Sequence, residues 1–324
     1  MTCHSIKAAI GIDVGGTDIK GGLVTSDGMI VEKQTIATEV SGGVDHVIGR
    51  MADMIERFRQ SAAQSMAIEA VGLGMPGTLS RRRGLVIAPP NLKGWRNVPV
   101  VERVSSAVGL RVVLDNDANN AALGEYLCGA GRGVRDMVML TLGTGIGGGI
   151  ILDGRLWHGA DENAGELGHM IVHAGGRRCG CGQLGCLEAY ASASATAARA
   201  MERLAAGESS SLSEALDRGE PIQAHHVVEA VLAGDGLATQ IWEETCRTLA
   251  VGCISIQHAL SLDRIVLAGG MSAAGERLRG PVVEAMRELS SRMLGDPPEV
   301  RIAELGNDAG LVGSALSVFQ DAKD

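Results

Sequence analysis

The sequence predicts a mixed α/β protein in which two lobes share one plan. Apolar segments typical of buried strands alternate along the chain with segments of helical periodicity, as in sheets covered by helices. One series occurs twice, at residues 8–28 and 136–154: an apolar strand, a turn of glycine and threonine, a second strand and an Asp-Gly hairpin signal. With 324 residues the chain is long enough for two domains.

The first lobe is predicted to span residues 1–117. It opens with a strand at 8–13, a glycine turn, and two strands joined at Asp27-Gly28. Strands and helices then alternate, with helices predicted at 43–65 and 98–108 and strands at 68–74 and 111–114; a helix predicted at 118–128 begins the second lobe. We expect the C-terminal helix, 308–324, to complete this lobe.

The second lobe is predicted to span residues 118–307. After the repeated strand pair it contains an Ala-rich helix at 187–206, a long helix at 236–260 and a buried strand at 263–268. A helix at 276–294 and a strand at 299–303 follow. Sheets of this kind bind ligands at the loops that leave the strand ends, so candidate site residues are expected there.

Composition and charge exclude several classes of function. Hydrophobic residues make up 45% and charged residues 21% of the chain, which is a globular composition. The formal net charge of −9 argues against nucleic acid as a partner, because phosphate backbones are bound by basic surfaces. The sequence contains no signal peptide and no membrane-spanning segment by its pattern, so we expect a cytoplasmic protein whose cysteines are reduced.

Two glycine turns are candidate phosphate sites. Gly15-Gly16-Thr17 and Gly143-Thr144-Gly145 each follow an apolar strand, and backbone amides without bulky side chains can crowd around a phosphate. Asp13, at the end of the first strand, is a candidate to hold hydrated Mg²⁺ beside the phosphates. Neither turn has the GxxxxGK[ST] pattern, and a tight turn without a ligand is the alternative for each.

Together with the internal repeat, these turns resemble those of the actin-like ATPase (ribonuclease H-like) superfamily. Proteins of that superfamily hold a nucleotide in a cleft between two related domains. The segment IVLAGGMS at 265–272 is similar to their adenosine motif, in which Gly269 and Gly270 would let the backbone approach the nucleoside. The resemblance implies ATP and Mg²⁺ as cofactors.

A carboxylate stands at a strand-to-helix junction in the segment DNDANNAALGE, 115–125. Asp117 lies near the start of the following helix and is a candidate general base that deprotonates an attacking hydroxyl during phosphoryl transfer. A helix cap is the alternative, since Asp and Asn are favoured at such junctions.

One histidine and three cysteines form a candidate metal site, at His169, Cys179, Cys181 and Cys186. One nitrogen and three sulfurs complete a tetrahedral zinc shell and leave no position for water, which is typical of a structural site. The C-x-C spacing is tighter than the usual zinc spacing, and a group of reactive thiols is the alternative.

Glu166 and Glu188 flank this metal site. A bound metal would fix both carboxylates, which together with Asn116 and Asp117 could accept hydrogen bonds from the hydroxyls of a sugar. Ordinary surface charge is the alternative for both glutamates.

The motifs identify the chain as similar to the ROK family (repressor, open reading frame, kinase), in particular to its ATP-dependent hexose kinases. DVGGTDIKGG, GLGMPG, DNDANNAALGE, TLGTGIGGG, AGELGH, CGCGQLGCLE and LAGG occur in the family's order. The resemblance implies two actin-like lobes, a zinc site at 169–186 and a homodimer. It makes Asp117 the base that acts on the sugar 6-hydroxyl and implies these sugar-binding residues: Asn91, Asn116, Glu166, His169 and Glu188.

Several alternatives remain within the resemblance. The overall pattern is most similar to that of glucokinases, and a kinase of N-acetylmannosamine or N-acetylglucosamine is the alternative. Many ROK proteins are repressors, but the twelve residues before Asp13 leave no room for a DNA-binding domain. A sugar sensor without catalysis would be expected to lack Asp117 or a phosphate turn.

A few conspicuous residues receive no catalytic role. The family often has lysine at the position of Asp18, whereas here lysine occurs at position 20. The remaining histidines singled out, His173, His225 and His226, are expected at the surface or in loops. No role is assigned to Cys3, Cys128, Cys246 or Cys253.

Overall fold

The computed structural model describes residues 5–62, 66–89, 91–290 and 296–321. Cys3 and the ends of three predicted helices, at 63–65, 291–294 and 322–324, lie outside the described residues. In chain order the strands are β1 (Ile6–Val14), β2 (Asp18–Thr25), β3 (Ile30–Ala37), β4 (Met66–Met75), β5 (Thr78–Ser80), β6 (Leu85–Ala88), β7 (Val112–Asn116), β8 (Met137–Leu142), β9 (Ile146–Leu152), β10 (Arg155–Leu156), β11 (Arg264–Ala268) and β12 (Glu299–Ile302). The helices are α1 (Gly43–Ser61), α2 (Val100–Val108), α3 (Asp117–Cys128), α4 (Glu188–Ala191), α5 (Ala193–Ala205), α6 (Ser213–Asp217), α7 (Ala224–Leu232), α8 (Gly236–Leu260), α9 (Glu276–Leu289) and α10 (Ala309–Asp321).

Two five-stranded sheets repeat one arrangement. The first has the order β3-β2-β1-β4-β7, and the second has the order β10-β9-β8-β11-β12. In the first sheet β1 pairs antiparallel with β2 and parallel with β4, and in the second β8 pairs parallel with β11. The repeat read from the sequence is therefore a repeat of sheet topology, as a duplicated α/β fold requires.

The chain divides into two compact units. Unit 1 takes its residues from 1–133, 149–165 and 304–324, and unit 2 from 134–148 and 166–303. The predicted division at residue 117 differs from this one, because α3 packs with α10 inside unit 1. The predicted division lies at the strand-to-helix junction after residue 117, whereas the first compact unit continues through α3 to residue 133.

Alternating residues of β1 explain how unit 1 is layered. The large side chains of Ile10 and Ile12 are buried in a cluster with residues of α1 and α2. Ala9 is buried in a second cluster with residues of α10. Gly11 lies under the same helix, and a Cβ atom there would be 2.0 Å from the carbonyl oxygen of Leu311. Only small residues on this side of the strand allow α10 to lie directly on the sheet.

A buried carboxylate joins α3 to the segment that leads into α10. Glu125 is fully buried, and its two carboxylate oxygens accept hydrogen bonds from the backbone amides of Ala130 (2.8 Å), Glu304 (3.0 Å) and Leu305 (2.7 Å). The side chain thereby accepts hydrogen bonds from three backbone amides, two of which belong to the segment that leads into α10. Glu125, which the sequence analysis did not single out, thus has a structural role.

The substitution Glu125→Ala is expected to lower the free energy of unfolding by at least about 3 kcal/mol, because each buried amide left without a partner costs about 1 to 3 kcal/mol. Urea denaturation followed by circular dichroism measures the change. Asp53→Ala, at an exposed position of α1, is the control and should change stability by less than about 0.5 kcal/mol. Equal stability losses in the two variants would contradict the anchoring role.

In unit 2, the helix predicted at 187–206 is two helices. Ser192 adopts extended backbone angles between α4 and α5, and its hydroxyl accepts a hydrogen bond from the amide of Ala195 at 3.0 Å. This serine cap starts a new helix, so the chain changes direction at residue 192. None of the helices in the described ranges is both long and apolar enough to cross a membrane.

Candidate active site

The first glycine turn, in unit 1, is held in one conformation by its own backbone and by Thr38. The amide of Gly15 donates to the carbonyl of Asp18 (2.8 Å), and the buried Thr38 hydroxyl donates to the carbonyl of Gly15 (2.7 Å). Within the described part of the chain, the amides of Gly16 and Thr17 donate no hydrogen bond. Two amide donors therefore remain for a ligand such as a phosphate.

Two of the predicted ligand-binding residues lie next to this turn. A Cβ atom on Gly16 would be 2.8 Å from the Cβ of the exposed Asn91, so the predicted sugar residue Asn91 packs directly on the turn. The Asp13 carboxylate, at the end of β1, lies against the backbone of Gly310, where a Cβ would be 2.5 Å from Oδ2. A side chain at Gly16 or at Gly310 would therefore collide with Asn91 or with Asp13, respectively.

Asp13 has an unusual environment for a carboxylate. Burial raises its pKa to about 6, and the charge of Lys20, its partner in the β1–β2 ladder, offsets part of this rise. A divalent cation would favour the ionised carboxylate in the same way and more strongly. The residue therefore fits the role of holding hydrated Mg²⁺ beside the first turn.

The sequence left two roles open for Asp117, helix cap and general base, and the geometry between β7 and α3 shows which residue is the cap. The side chain of Asn116 caps the helix, because its Oδ1 accepts hydrogen bonds from the amides of Ala118 (2.8 Å) and Asn119 (3.3 Å). Asp117 is the first helical residue and is half-buried, and its Oδ1 lies 2.9 Å from the amide nitrogen of Ala118. The positive end of the helix dipole favours a negative charge at this position.

A polar network behind this junction was not foreseen. Asp115 is 1% exposed; its Oδ1 accepts from the amide of Asn116 (2.8 Å) and from Asn119 Nδ2 (3.0 Å). Its Oδ2 lies 2.7 Å from His158 Nε2 and 3.1 Å from Arg81 Nε. No spacing in the sequence connects His158 or Arg81 with Asp115, because all three come from separate segments of unit 1.

The charge of Asp115 depends on these partners. Burial by itself would raise the pKa of this carboxyl, but the hydrogen bond to His158, the charges of His158 and Arg81, and the hydrogen bond from Asn119 hold it below its ordinary value. Asp115 therefore stays ionised at neutral pH and keeps the backbone that enters α3 in place.

Asp115→Asn is expected to lower the free energy of unfolding by about 2 to 3 kcal/mol at neutral pH. Since the folded-state pKa lies below the unfolded value of about 3.9, the stabilisation is complete above that value and is lost as pH falls through the folded pKa. The difference between wild type and variant should therefore shrink below about pH 4. Urea denaturation at neutral and acidic pH measures it; a difference that is the same at both would be inconsistent with an ionised Asp115.

The second glycine turn, in unit 2, is built like the first. The amide of Gly143 donates to the carbonyl of Gly145 (3.0 Å), and the carbonyl of Gly143 accepts from the amide of Ala193 (2.9 Å). The amides of Thr144 and Gly145 donate no hydrogen bond within the described residues. In each turn the first glycine donates one hydrogen bond nearby in the chain and its carbonyl accepts one from a more distant residue. The next two amides are available to a ligand.

This second turn opens into a cavity of about 500 Å³ in unit 2. The cavity brings together three predicted nucleotide residues, Gly143, Thr144 and Gly270. Its other walls come from α5 and α7 and from the 3₁₀ turn after β11, including Ala197, His225 and Met271. A volume of this size is in the usual range of small-molecule sites. The walls from α5 and α7 were not predicted from the sequence. His225, expected at the surface or in a loop, is exposed and lines the cavity.

Gly269 shows why the motif after β11 needs a glycine. Its φ is +82°, and a Cβ atom would lie 2.5 Å from the carbonyl oxygen of Leu142 at the end of β8. The glycine thus lets the two neighbouring strand ends meet and leaves Gly270 at the cavity wall.

The histidine and the three cysteines converge in unit 2 and form a group that could hold a metal ion. The four ligand atoms lie within 4.8 Å of one another. Cys181 Sγ is 3.7 Å from Cys186 Sγ, and Cys179 Sγ is 3.7 Å from His169 Nδ1. Zinc bonds of about 2.0 to 2.3 Å in a tetrahedron separate the ligands by roughly 3.5 to 3.8 Å, so the donor set and its spacing fit zinc. Burial raises the pKa of the Cys179 thiol to about 12, and a bound cation would reverse that effect.

The two glutamates predicted to flank the metal site both lie beside it. Glu166 Oε2 is 3.8 Å from His169 Nε2, and Glu188 Oε1 is 3.3 Å from Cys179 Sγ. Glu188 is half-buried and also accepts a hydrogen bond from the amide of Ile146 at 2.9 Å. The predicted sugar residues are thus divided: Asn91, Asn116 and Asp117 belong to unit 1, and Glu166, His169 and Glu188 to unit 2.

The other cysteines of the described residues belong to no group that could hold a metal. Cys246 and Cys253 are buried on α8, and burial raises the pKa of each thiol to about 12. Such thiols are unreactive core residues. Cys128 is half-buried at the end of α3.

Comparison with known proteins places the chain in a family. The sequence model of the ROK family matches residues 9–321. A glucokinase from Thermotoga maritima is 38% identical over 306 residues, which cover 94% of this chain and 95% of that one. An N-acetylmannosamine kinase from Citrobacter koseri is 31% identical over 309 residues, covering 95% of this chain and 98% of that protein.

A solved structure agrees with the fold as well. A ROK family glucokinase from Streptomyces griseus, in complex with glucose and AMPPNP, superimposes with a TM-score of 0.79 at 34% identity and covers 97% of this chain and 99% of its own. The predicted duplicated, actin-like α/β fold is thereby confirmed. By its sequence and its fold, this chain belongs to the ROK family.

Proposed function

We propose that the protein transfers the γ-phosphoryl group of ATP to the 6-hydroxyl of a hexose, with glucose as the preferred acceptor. The observation that carries this proposal is the second glycine turn, whose two uncommitted amides adjoin a cavity of about 500 Å³. Amides at a turn bind phosphate, and a cavity of this volume suits a nucleoside. Similarity to a glucokinase that binds glucose and AMPPNP supports both substrates.

Each of the two glycine turns, within its own unit, has two amides that suit phosphate oxygens. The amides of Gly16 and Thr17 and those of Thr144 and Gly145 would donate hydrogen bonds to phosphate oxygens. Asp13 would hold hydrated Mg²⁺, which neutralises charge on the transferred group when it is bound. The base and ribose would occupy the cavity beside Gly270.

Asp117 is proposed as the general base. A carboxylate at the first position of α3 is kept negative by the helix dipole and can accept the proton of a sugar hydroxyl as the new bond to phosphorus forms. Because Oδ1 of Asn116 is used to cap the helix, its Nδ2 is the group that would donate to the sugar. Asp115 holds the backbone amide of Asn116, the residue before Asp117.

The cysteine site is proposed to hold structural zinc. One histidine and three cysteines fill all four positions, so water could not bind the metal as it does in catalytic zinc sites. The role of the ion would be to keep Glu166, His169 and Glu188 in fixed positions toward the sugar. A homodimer in the cytoplasm, expected from the resemblance, is proposed as the working form.

A second candidate acceptor is an N-acylated hexosamine, because an N-acetylmannosamine kinase matches the chain over nearly its whole length at 31% identity. The purified protein should be tested for ADP release from MgATP with glucose, N-acetylglucosamine, N-acetylmannosamine and fructose. Glucose is expected to give the highest kcat/KM. If an acylated sugar gives a higher kcat/KM than glucose, the proposed acceptor is wrong and the kinase activity stands. If none of the sugars in the panel supports ADP release, the proposed function is wrong.

The nucleoside cavity is tested by two neighbouring alanines of α5. Ala197 lines the cavity, whereas Ala198 is exposed and does not border it. Ala197→Phe is expected to raise the KM for ATP by about tenfold or more, because the ring would fill space that the nucleoside needs. Ala198→Phe is the matched control and should leave the KM for ATP unchanged. An equal effect of both variants would mean that the nucleoside binds elsewhere.

A further inference from the structure

We propose that Glu188 is a positioning residue for the nucleotide, which connects the cysteine site to the second glycine turn. The inference rests on the proposed function, because it assigns to this turn the binding of nucleotide phosphates. Glu188 is already expected to contact the sugar, and the proposed role is a second one that does not require sugar. Through Glu188 the metal site would also support nucleotide binding.

The contacts of the two carboxylate oxygens carry the proposal. Glu188 Oε2 accepts a hydrogen bond from the amide of Ile146, the first residue after the turn, at 2.9 Å. Oε1 lies 3.3 Å from Cys179 Sγ, one of the four metal ligands. One side chain thus contacts both the turn and the metal site.

The turn is shaped to receive this carboxylate. A Cβ atom at Gly145 would lie 2.3 Å from Glu188 Oε2, so a larger residue would displace the oxygen from Ile146. The glycine at position 145 is thus required by the carboxylate packed against it. This contact holds the last residues of the turn close to α4.

The same short segment holds the turn at both ends. Ala193, at the start of α5, donates its amide to the carbonyl of Gly143 at 2.9 Å, while Glu188, at the start of α4, holds Ile146. The metal ligand Cys186 lies two residues before Glu188 in the chain. Any loosening of the metal site would therefore reach both anchors of the turn and change the positions of the Thr144 and Gly145 amides.

Glu166 provides a matched comparison. It also lies beside the metal site, but its side chain is 61% exposed and its nearest ionic partner is His169 at 3.8 Å. Among the described residues, Glu166 makes no hydrogen bond or ion pair with the second turn. If both glutamates served the sugar alone, removing either one would leave nucleotide binding in the absence of sugar unchanged.

The test is the affinity for AMPPNP with Mg²⁺, measured by calorimetry without sugar, in wild type, Glu188→Ala, Glu188→Gln and Glu166→Ala. Metal content and the melting temperature are recorded for each. Glu188→Ala is expected to weaken AMPPNP binding about tenfold or more, because a charged hydrogen bond that shapes the turn is lost. Glu188→Gln should restore most of the affinity, since its amide oxygen can accept from Ile146, and Glu166→Ala should match wild type.

Removing the metal from the wild-type protein with a chelator provides a second measurement that does not depend on any variant. AMPPNP affinity is expected to fall under conditions in which circular dichroism shows the protein still folded. Wild-type affinity in Glu188→Ala, together with weaker binding of glucose, would overturn the positioning role and leave the kinase proposal standing. A wild-type protein that binds no AMPPNP would overturn both.

Discussion

Replacing Asp117 with asparagine is expected to lower kcat for sugar phosphorylation by about 10²- to 10⁴-fold, the usual contribution of a general base. Asparagine has nearly the same shape as aspartate, and its carbonyl oxygen can still accept from the amide of Ala118, which lies 2.9 Å from Asp117 Oδ1. It cannot take up the proton of the sugar hydroxyl. The measurement is the steady-state rate of ADP release with saturating MgATP and sugar.

The expected loss should appear in kcat and leave the binding of both substrates largely unchanged, because the base acts as the transition state forms. Asp45→Asn serves as a control, since Asp45 also lies in the first turn of a helix and is exposed. It should retain wild-type kcat. An Asp117→Asn protein that is folded, binds AMPPNP and glucose normally and still turns over at the wild-type rate would contradict the base assignment.

Loss of Cys181, one of the four proposed zinc ligands, is the second change with a large expected effect. Cys181 is exposed, so Cys181→Ser should alter the metal site without opening a cavity in the core. A serine hydroxyl is a poor zinc ligand, and structural zinc sites supply folding energy directly, about 10 kcal/mol or more in small zinc domains. We expect the variant to lose its zinc and to melt at a lower temperature. Changes around metal sites typically reduce activity about tenfold or more, so we expect the variant to lose at least about 90% of its activity.

Elemental analysis, thermal melting and the ADP-release assay check this expectation together. Cys128→Ser, outside the metal site, is the control and should retain zinc and activity. Hydrogen exchange adds a local measurement, because amides at residues 169–190 should lose protection while those of β1 and α1 keep it. A Cys181→Ser protein that contains no zinc yet remains fully active would show that the metal is dispensable, and the reactive-thiol alternative for the cluster would then be favoured.

The glycine turns and the convergence of the candidate metal ligands could be predicted because their residues are close together in the chain. Gly143, Thr144 and Gly145 form one turn, and Cys179, Cys181 and Cys186 lie within one short loop. Local backbone geometry determines what such segments can bind, so residue types and spacing carry most of the information. The duplicated sheet was recognised for a similar reason, since each copy repeats a local order of strand, turn and strand.

Other parts of the candidate site depend on contacts between distant segments. Asp115 meets His158 and Arg81, and Thr38 holds the first turn through the carbonyl of Gly15. No periodicity or spacing in the sequence links these residues. The assignment of the helix cap is another example, because Asn116 and Asp117 were equally suitable by type and only the backbone geometry showed that Asn116 caps α3.

Residue types and spacing were enough to identify the family and the duplicated α/β plan, and they marked the two glycine turns and the four candidate metal ligands. Only the folded chain shows how these parts are supported: the cavity beside the second turn, the network around Asp115, the burial of Glu125 and the link from Glu188 to Ile146. The physical reason is that a turn or a metal loop is specified by neighbouring residues. A supporting contact forms only when the packing of the core brings remote segments together.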